Sequence, residues 1–209
     1  MRRRTLDFGL SHAVSRRMST DQGQSQAVGE AMRDAVAVSA LDALQFLCRQ
    51  RMEGLRSVDL GRSDMARIEE RLDAYTDALV VRGPEVIEWL STMLPTAETA
   101  ADACGVAMAL LGVRQQLAAE AVLAALATAE AEPILHGLQA ALRRGPIDLV
   151  LAPLQEWLAS GSPREAAAAA ETLAFHRQLD KQASRPSQLI DDEDPMVRRA
   201  AWRAMALTG

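Results

Sequence analysis

The chain has 209 residues, a net charge of -5 and an apolar fraction of 49%, but only 3% of its residues are aromatic. A chain of this length buries a sizeable core without disulfides or metal ions. The scarcity of aromatic residues and the abundance of alanine argue against β-sandwiches and barrels, and they favour an all-α fold. The acidic balance argues against binding nucleic acid by neutralising its phosphates.

The N-terminal segment, residues 1–27, is polar, rich in arginine and without sustained periodicity, which predicts a disordered tail. Its opening resembles the charged region of a secretory signal, but His12 and Arg16 interrupt any apolar stretch. No apolar run is long enough for a membrane span, so we expect a soluble, cytoplasmic protein. Translation beginning at Met18 or Met32, instead of at Met1, stays an open alternative.

Residues 35–95 are predicted to form an N-terminal helical region. Apolar residues recur at intervals of three and four between residues 38 and 55, which predicts a long first helix. Ser63 is a predicted N-cap for a second long helix, which ends at the Gly83-Pro84 pair. A shorter helix is expected from Pro84 to Leu94. Cys48 and Cys104 lie within apolar helical patterns, which favours two buried thiols over a disulfide.

Residues 96–209 contain shorter helices and a repeated layout. A cap-type or acidic residue precedes a proline at Glu132-Pro133, Ser162-Pro163 and Asp194-Pro195, with spacings of 30 and 32 residues. Each pair opens an alanine- and leucine-rich helix, and Ser162 with Glu165 fits a capping box. The segments 146–159 and 186–191 are interpreted as the first helix of a pair.

Repeated pairs of antiparallel helices are typical of an α-solenoid, in which each pair buries its apolar face on its neighbours. The sequence therefore predicts an all-α protein in which two longer helices precede an α-solenoid of antiparallel helix pairs. In this interpretation residues 96–209 form a single continuous solenoid domain of degenerate repeats.

The final repeat, residues 189–205, contains the pattern Asp-x-x-Asp-Pro-x-Val-Arg-x-Ala-Ala and resembles a HEAT repeat. In that family an acid between the two helices pairs with an arginine one turn into the second helix. The resemblance therefore implies a structural ion pair of Asp191 or Asp192 with Arg198. The equivalent positions in the two preceding repeats are Ala166 and His136, so no ladder of such pairs is expected along the array.

A wider resemblance extends from about residue 38 to residue 209. Residues 46–49, 65–74 and 78–83 look like segments of a bacterial family of HEAT-containing proteins with uncharacterised activity, which is often associated with type VI secretion loci. Tyr75 departs from the histidine common in that family, and the chain ends at Gly209 where relatives continue. A short family member and a fragment of a longer solenoid are both compatible with this pattern.

Groups for catalysis or metal binding are sparse in the sequence. His12, His136 and His176 lie far apart, and none has a cysteine or carboxylate at ligand spacing on a shared apolar helix face. His136, next to Gly137, is interpreted as a residue that lines a groove or packs. The acidic run at residues 191–194 is interpreted as favourable charge at a helix N-terminus instead of a metal site. We predict no enzyme activity, no cofactor and no metal.

The last helix carries the preferred contact patch. At 100° per residue, Arg198, Arg199, Trp202 and Arg203 lie opposite the apolar side of this helix. Tryptophan and arginine are enriched at binding hot spots, so Arg199, Trp202 and Arg203 are the predicted partner-binding residues. The alternative is that Trp202 packs on the preceding helix pair or on a further repeat.

These observations favour a non-enzymatic scaffold for protein–protein interaction, and the family resemblance links it to a bacterial secretion system. One alternative is an enzyme or ligand carrier on a HEAT-like frame, as in bilin lyases or DNA glycosylases. A positively charged groove that contains Trp202 and a buried carboxylate would favour the glycosylase alternative. Another alternative is a truncated repeat protein that forms homo-oligomers through its C-terminal helix.

Overall fold

The described residues of the chain, in a computed structural model, are residue 32, residues 34–180 and residues 182–209. They contain helices, turns and irregular segments but no strand, so the predicted all-α class is confirmed. An N-terminal unit ends at Ser39, and its described residues are helical; a second unit comprises Ala40–Gly209. The predicted tail at residues 1–27 lies outside the described residues.

The second unit contains ten α-helices in its described residues. The helical residues 40–54 are named α1, and the others follow as α2 (Arg62–Val80), α3 (Glu85–Met93), α4 (Ala100–Gly112), α5 (Gln116–Thr128), α6 (Glu132–Arg144), α7 (Leu151–Ser160), α8 (Pro163–Phe175), α9 (Arg185–Gln188) and α10 (Pro195–Thr208). Short 3-10 helices occupy Leu94–Thr96, Ile147–Leu149 and Leu189–Asp191. None of these helices is long and apolar enough to cross a membrane.

Side-chain caps begin three of the described helices, α4, α8 and α10. The Ser162 hydroxyl accepts the Glu165 N–H at 3.3 Å and the Glu165 carboxylate accepts the Ser162 N–H at 2.8 Å, so the predicted capping box is confirmed. The prediction that Ser63 caps α2 is wrong. Gly61 is the N-cap, because its extended backbone lets its carbonyl accept the N–H groups of Asp64 and Met65 at 3.1 Å.

The two segments expected to be the first helices of pairs are shorter and more irregular than predicted. Residues 146–159 divide into a 3-10 turn and α7, because Val150 between them adopts φ -116° and ψ -4°. Residues 186–191 are covered by α9, which is a single turn, and by the 3-10 helix that follows it.

Helix α4 is the centre of the core. Every residue from Ala103 to Leu111 is buried, and α4 contacts α2, α3, α5 and α6. Glycines allow its closest neighbours to approach. A Cβ on Gly105 would lie 3.1 Å from the Gln45 Cα in α1, and one on Gly137 in α6 would collide with the Ala100 carbonyl. Small residues at these crossings therefore set the distances between α1, α4 and α6.

Two pairs of helices that are each separated by one intervening helix, α4–α6 and α8–α10, run side by side in the same direction. Gly137 lies against Ala100 at the start of α4, while Gly145 lies against Leu111 near its end, so α4 and α6 are parallel. Arg164 contacts Asp194 at 2.7 Å near the starts of α8 and α10, and further along these helices Glu171 lies 3.5 Å from Arg203. The α8–α10 pair is therefore parallel too.

Both cysteines are buried and free, as the apolar pattern predicts. The Cys48 thiol in α1 donates a hydrogen bond to the Met108 thioether at 3.6 Å. A hydrogen bond with Cys104 and burial both raise the pKa of the Cys48 thiol above its ordinary value. This thiol stays protonated at neutral pH, and it acts as a core residue.

The partly buried carboxylate of Glu69 forms ion pairs that link three helices. Glu69 in α2 accepts hydrogen bonds from Arg51 in α1 at 2.5 Å and from Arg144 in α6 at 2.6 Å. Arg144 also donates to Asp73 at 2.8 Å. Burial alone would raise the pKa of the Glu69 carboxyl, but the hydrogen bonds from the two arginines outweigh it and hold the pKa below its ordinary value.

We expect Glu69→Gln to lower the free energy of unfolding at pH 7 by about 2 kcal/mol, since it removes the charge that both arginines contact. The folded-state pKa is lowered, so this contribution is present above the unfolded-state pKa of about 4.3 and is lost as pH falls through the folded value. Urea unfolding at pH 7 and at pH 3 measures the difference. The exposed neighbour Glu70 supplies the control variant, Glu70→Gln, and an equal loss in both variants would contradict the network.

We expect Gly137→Ala to destabilise the protein by about 1–3 kcal/mol, because the added Cβ forces α6 away from the α4 backbone. Gly61→Ser is the matched control, since its Cβ would meet only ordinary contacts and its hydroxyl adds a cap to α2. Thermal unfolding of the two variants compares them. A Gly137→Ala protein as stable as the wild type would show that the helices do not depend on this approach.

Candidate functional site: an arginine-lined cavity

A cavity of about 340 Å³ opens between α6 and α10, with α8 at its base. Its apolar wall is formed by small and medium side chains, which are Ala100, Pro133, Leu135, Met196 and Ala200. Its polar groups are concentrated, and they comprise Arg56, Arg199, Arg203, Glu132, Glu171, His136 and Gln139. An apolar wall with a few convergent polar groups, in this size range, is the usual composition of a ligand-binding cavity.

Helical spacing decides which α10 residues face the cavity. Met196, Arg199, Ala200 and Arg203 recur at intervals of three and four, so they form one stripe on the cavity side. Trp202 lies 60° beyond this stripe by the helical repeat, and its side chain is 58% exposed. The structure thus brings together two of the three predicted contact residues, Arg199 and Arg203, and places Trp202 outside the cavity.

A buried carboxylate forms the base of the cavity. Glu171 in α8 is only 2% exposed, and one of its oxygens pairs with Arg143 and lies 3.5 Å from Arg203 Nη1. Its other oxygen, Oε2, has no hydrogen-bond partner among the described residues. Burying a carboxylate is costly unless donors surround it, so the Arg143 guanidinium supplies the donor that offsets part of this cost and holds the Glu171 side chain in place.

Glu171 is not among the residues predicted from the sequence. It follows five consecutive alanines in the middle of α8, and the helix around it is buried. A single glutamate within an apolar helical run is the signal that could have pointed to it, because an unpaired carboxylate is seldom buried. The sequence did not indicate its partners, which come from α6 and α10.

His136 lies on the α6 wall, in agreement with its interpretation as a groove-lining residue. Burial lowers the pKa of its imidazole, and the positive charges of Arg143, Arg56 and Arg203 lower it further, against a smaller opposing effect of Glu132. The ring is therefore neutral at pH 7, able to donate one hydrogen bond and accept another. Three of the four charged side chains that shift the pKa of this imidazole are therefore positive.

Arginines dominate the rim of the cavity. Arg199 and Glu132 form an ion pair across it, and both side chains are about half exposed. Within the described part of the chain, Arg56 has neither an ion-pair partner nor a side-chain hydrogen bond. The rim therefore presents three guanidinium groups and one carboxylate, although the chain as a whole is acidic.

The other predicted group, Asp191, Asp192 and Arg198, is arranged differently from the expected ion pair. Arg198 donates to the main-chain carbonyls of Asp192 and Glu193 at 2.7 and 3.0 Å, whereas the Asp192 carboxylate accepts the Asp194 N–H at 2.9 Å. Asp191 is exposed at the end of its 3-10 helix. Contact between Arg198 and Asp192 therefore runs through the backbone, because the carboxylate is already used to close the turn before α10.

The acidic run at residues 191–194 supplies a helix cap, as predicted. The Asp194 carboxylate accepts the Met196 N–H at 2.8 Å, and it pairs with Arg164. Hydrogen bonds from Arg164 and from the Met196 amide lower the pKa of the Asp194 carboxyl. Among the residues that the structure describes, no group of three or more histidine, cysteine or acidic side chains is arranged to hold a metal ion.

Comparisons with protein-family models, with curated proteins and with solved structures found no match to this chain. The resemblance to HEAT-containing proteins and the link to secretion therefore stay predictions. Inferences about function rest on the chemistry of the cavity itself.

We expect Arg143→Met to cost about 3–5 kcal/mol of unfolding free energy, since it leaves the Glu171 charge buried beside a single distant guanidinium. The double variant Arg143→Met/Glu171→Met removes that buried charge and is expected to recover most of the loss. Urea denaturation of the two single variants, the double variant and the wild type gives the coupling energy. Additive losses would show that the two side chains do not depend on each other.

We expect His136 to titrate below its ordinary value of about 6.5 in an NMR pH titration of the ring signals. Arg203→Gln should raise the pKa of His136 toward that value, because one of the repelling charges is removed. Arg67→Gln is the control, since Arg67 is highly exposed in α2 and its weak ion pair is with Asp64. An unchanged His136 midpoint in Arg203→Gln would contradict the repulsion assigned to this arginine.

Proposed function

We propose that this protein is a non-enzymatic binding module whose cavity takes up the anionic group of a ligand. The observation that carries the proposal is the convergence of Arg56, Arg199 and Arg203 on one cavity of an acidic chain. Guanidinium groups bind carboxylates and phosphates through paired, charge-assisted hydrogen bonds. Arg56 supports the proposal most directly, since its side chain lacks a partner among the described residues.

The groups around the arginines favour binding over covalent catalysis. The described residues that line the cavity include no serine, threonine, cysteine, tyrosine or lysine. Its two carboxylates are engaged by arginines, Glu171 by Arg143 and Glu132 by Arg199. The glycosylase alternative requires aromatic side chains that stack on a base, and the described lining has none, since Trp202 lies outside. The positive rim and buried Glu171 meet only part of that expectation.

The fold proposed for this module is a short α-solenoid of HEAT-like repeats. The parallel pairs α4–α6 and α8–α10 support it, because the second helices of successive repeats run in the same direction in a stacked array. Residues of α6 and α10, two repeats apart in this arrangement, then form opposite walls of the cavity. A curved array provides such a concave surface.

Ligand binding by this cavity is tested by thermal unfolding with inorganic phosphate, 3-phenylpropionate or L-phenylalanine. At least one of these probes should raise the unfolding temperature in a concentration-dependent way, because ligands that bind the folded state stabilise it. Arg199→Gln/Arg203→Gln should abolish the shift, while Arg67→Gln should retain it. No shift with any probe, or an equal shift in both variants, would overturn the proposal.

A second candidate function is a protein-interaction scaffold that uses the outer surface of α10. Trp202 and Met205, one turn apart, are both exposed there, and such aromatic side chains are frequent hot spots. Crosslinking from position 202 identifies any partner directly, with a crosslinker at position 67 as control. A specific heterologous partner lost in Trp202→Ala would favour the scaffold. Crosslinks to a second copy of the chain would instead favour homo-oligomers.

A further inference from the structure

An acid and a base lie side by side in the cavity without forming a closed ion pair. The Arg203 guanidinium is 3.5 Å from Glu171 Oε1, which is at the limit of a hydrogen bond. Glu171 Oε2 is buried and has no partner among the described residues, and the Arg203 side chain is 46% exposed. An acceptor and a donor group are therefore both left incompletely satisfied within the same few ångströms.

We propose that the ligand is a small zwitterion, which carries an ammonium group for Glu171 and a carboxylate for the arginines on a short apolar body. This inference rests on the proposed function, and it deepens that function by naming the class of ligand. Free amino acids and short peptides both have this chemistry, and the probes below distinguish them.

The ammonium end of the ligand is assigned to Glu171. Burying a charged carboxylate oxygen without a hydrogen-bond donor costs more free energy than burying a neutral polar atom in the same way. Arg143 already contacts Oε1, and Oε2 has no donor among the described residues; because Glu171 lines the cavity, a ligand there is in a position to supply that donor. A ligand ammonium supplies three N–H donors and a compensating charge, which an apolar or purely anionic ligand does not.

The carboxylate end is assigned to Arg203 and Arg199. Both guanidiniums lie on the cavity stripe of α10, one turn apart, and both are about half exposed, although Arg199 is also paired with Glu132 across the rim. When Arg203 turns toward the ligand carboxylate, its long contact with Glu171 Oε1 opens and leaves that side of the carboxylate to the ligand ammonium. The neutral ring of His136 adds a hydrogen-bonding group without a further charge.

The apolar wall and the volume of the cavity determine the size and polarity of the part of the ligand between its two charged groups. Leu135, Met196 and Pro133 line its apolar side. A volume of about 340 Å³ corresponds to about eleven water molecules at about 30 Å³ each, which fits an amino acid with a large apolar side chain or a dipeptide. Purely anionic molecules would face repulsion from Glu171, and purely cationic molecules would face the arginines of the rim.

Isothermal titration calorimetry of the full chain with matched probes tests this inference. L-phenylalanine carries both charges, 3-phenylpropionate lacks the ammonium and 2-phenylethylamine lacks the carboxylate, while glycylphenylalanine holds the two charges farther apart. We expect at least a tenfold loss of affinity on removing either charge. A preference for L-phenylalanine identifies free amino acids as the source, and a preference for glycylphenylalanine identifies peptides.

Variants assign each end of the zwitterion to its residue. Glu171→Gln should remove the advantage of L-phenylalanine over 3-phenylpropionate, and Arg203→Gln should remove its advantage over 2-phenylethylamine. Because Glu171→Gln leaves Arg143 unpaired, circular dichroism is used to check that this variant folds. Arg203→Gln is an independent test of the site, since Arg203 lies at a more exposed position. Arg67→Gln should bind like the wild type.

The outcomes separate this inference from the proposed function. If 3-phenylpropionate or inorganic phosphate binds as tightly as L-phenylalanine and depends on Arg199 and Arg203, the zwitterion is excluded while the anion site stands. If 2-phenylethylamine binds as tightly as L-phenylalanine, the carboxylate assignment fails. If no probe binds, both the inference and the proposed function are overturned.

Discussion

The close approach of helices to α4 is the constraint on which the rest of the structure depends. Gly105 lets the backbone of α1 lie against α4, and Gly137 does the same for α6. Interiors pack at crystal-like density, so one added methyl group at such a crossing has to displace a whole helix. The position of α6 is set in this way, and α6 contributes five of the residues that line the cavity.

Two adjacent arginines at the end of α6 form ion pairs with neighbouring helices. Arg144 contacts Glu69 in α2, and Arg143 contacts Glu171 in α8, so consecutive residues hold α6 to helices on its two sides. Their positive charges also suit the C-terminal end of the α6 dipole. The Arg143 contact uses one oxygen of Glu171, and the other oxygen has no hydrogen-bond partner among the described residues. Fold stability and the chemistry proposed for the site therefore share a residue.

The binding role proposed for the cavity rests on a local difference in charge. The chain carries a net charge of -5, yet the rim of this cavity has three arginines and one acid. Such a concentration of one sign in a partly apolar concavity focuses the field and attracts ligands of opposite charge. Because Glu171 opposes that attraction at the base, the proposed site selects for ligands that carry both signs instead of for anions in general.

The sequence by itself determined the helical class, the capping box at Ser162, the burial of both cysteines and the cap at Asp194, because periodicity and capping act over only a few residues. The sequence also identified Arg199 and Arg203 as candidate binding residues by their residue type, but it did not indicate where their side chains point. Only the tertiary structure decided that they share a cavity with Glu171 and His136 and that Trp202 does not. Arg203 contacts Glu171, which lies 32 positions earlier in the chain, and Arg199 contacts Glu132, which lies 67 positions earlier. No local sequence pattern encodes contacts over such separations.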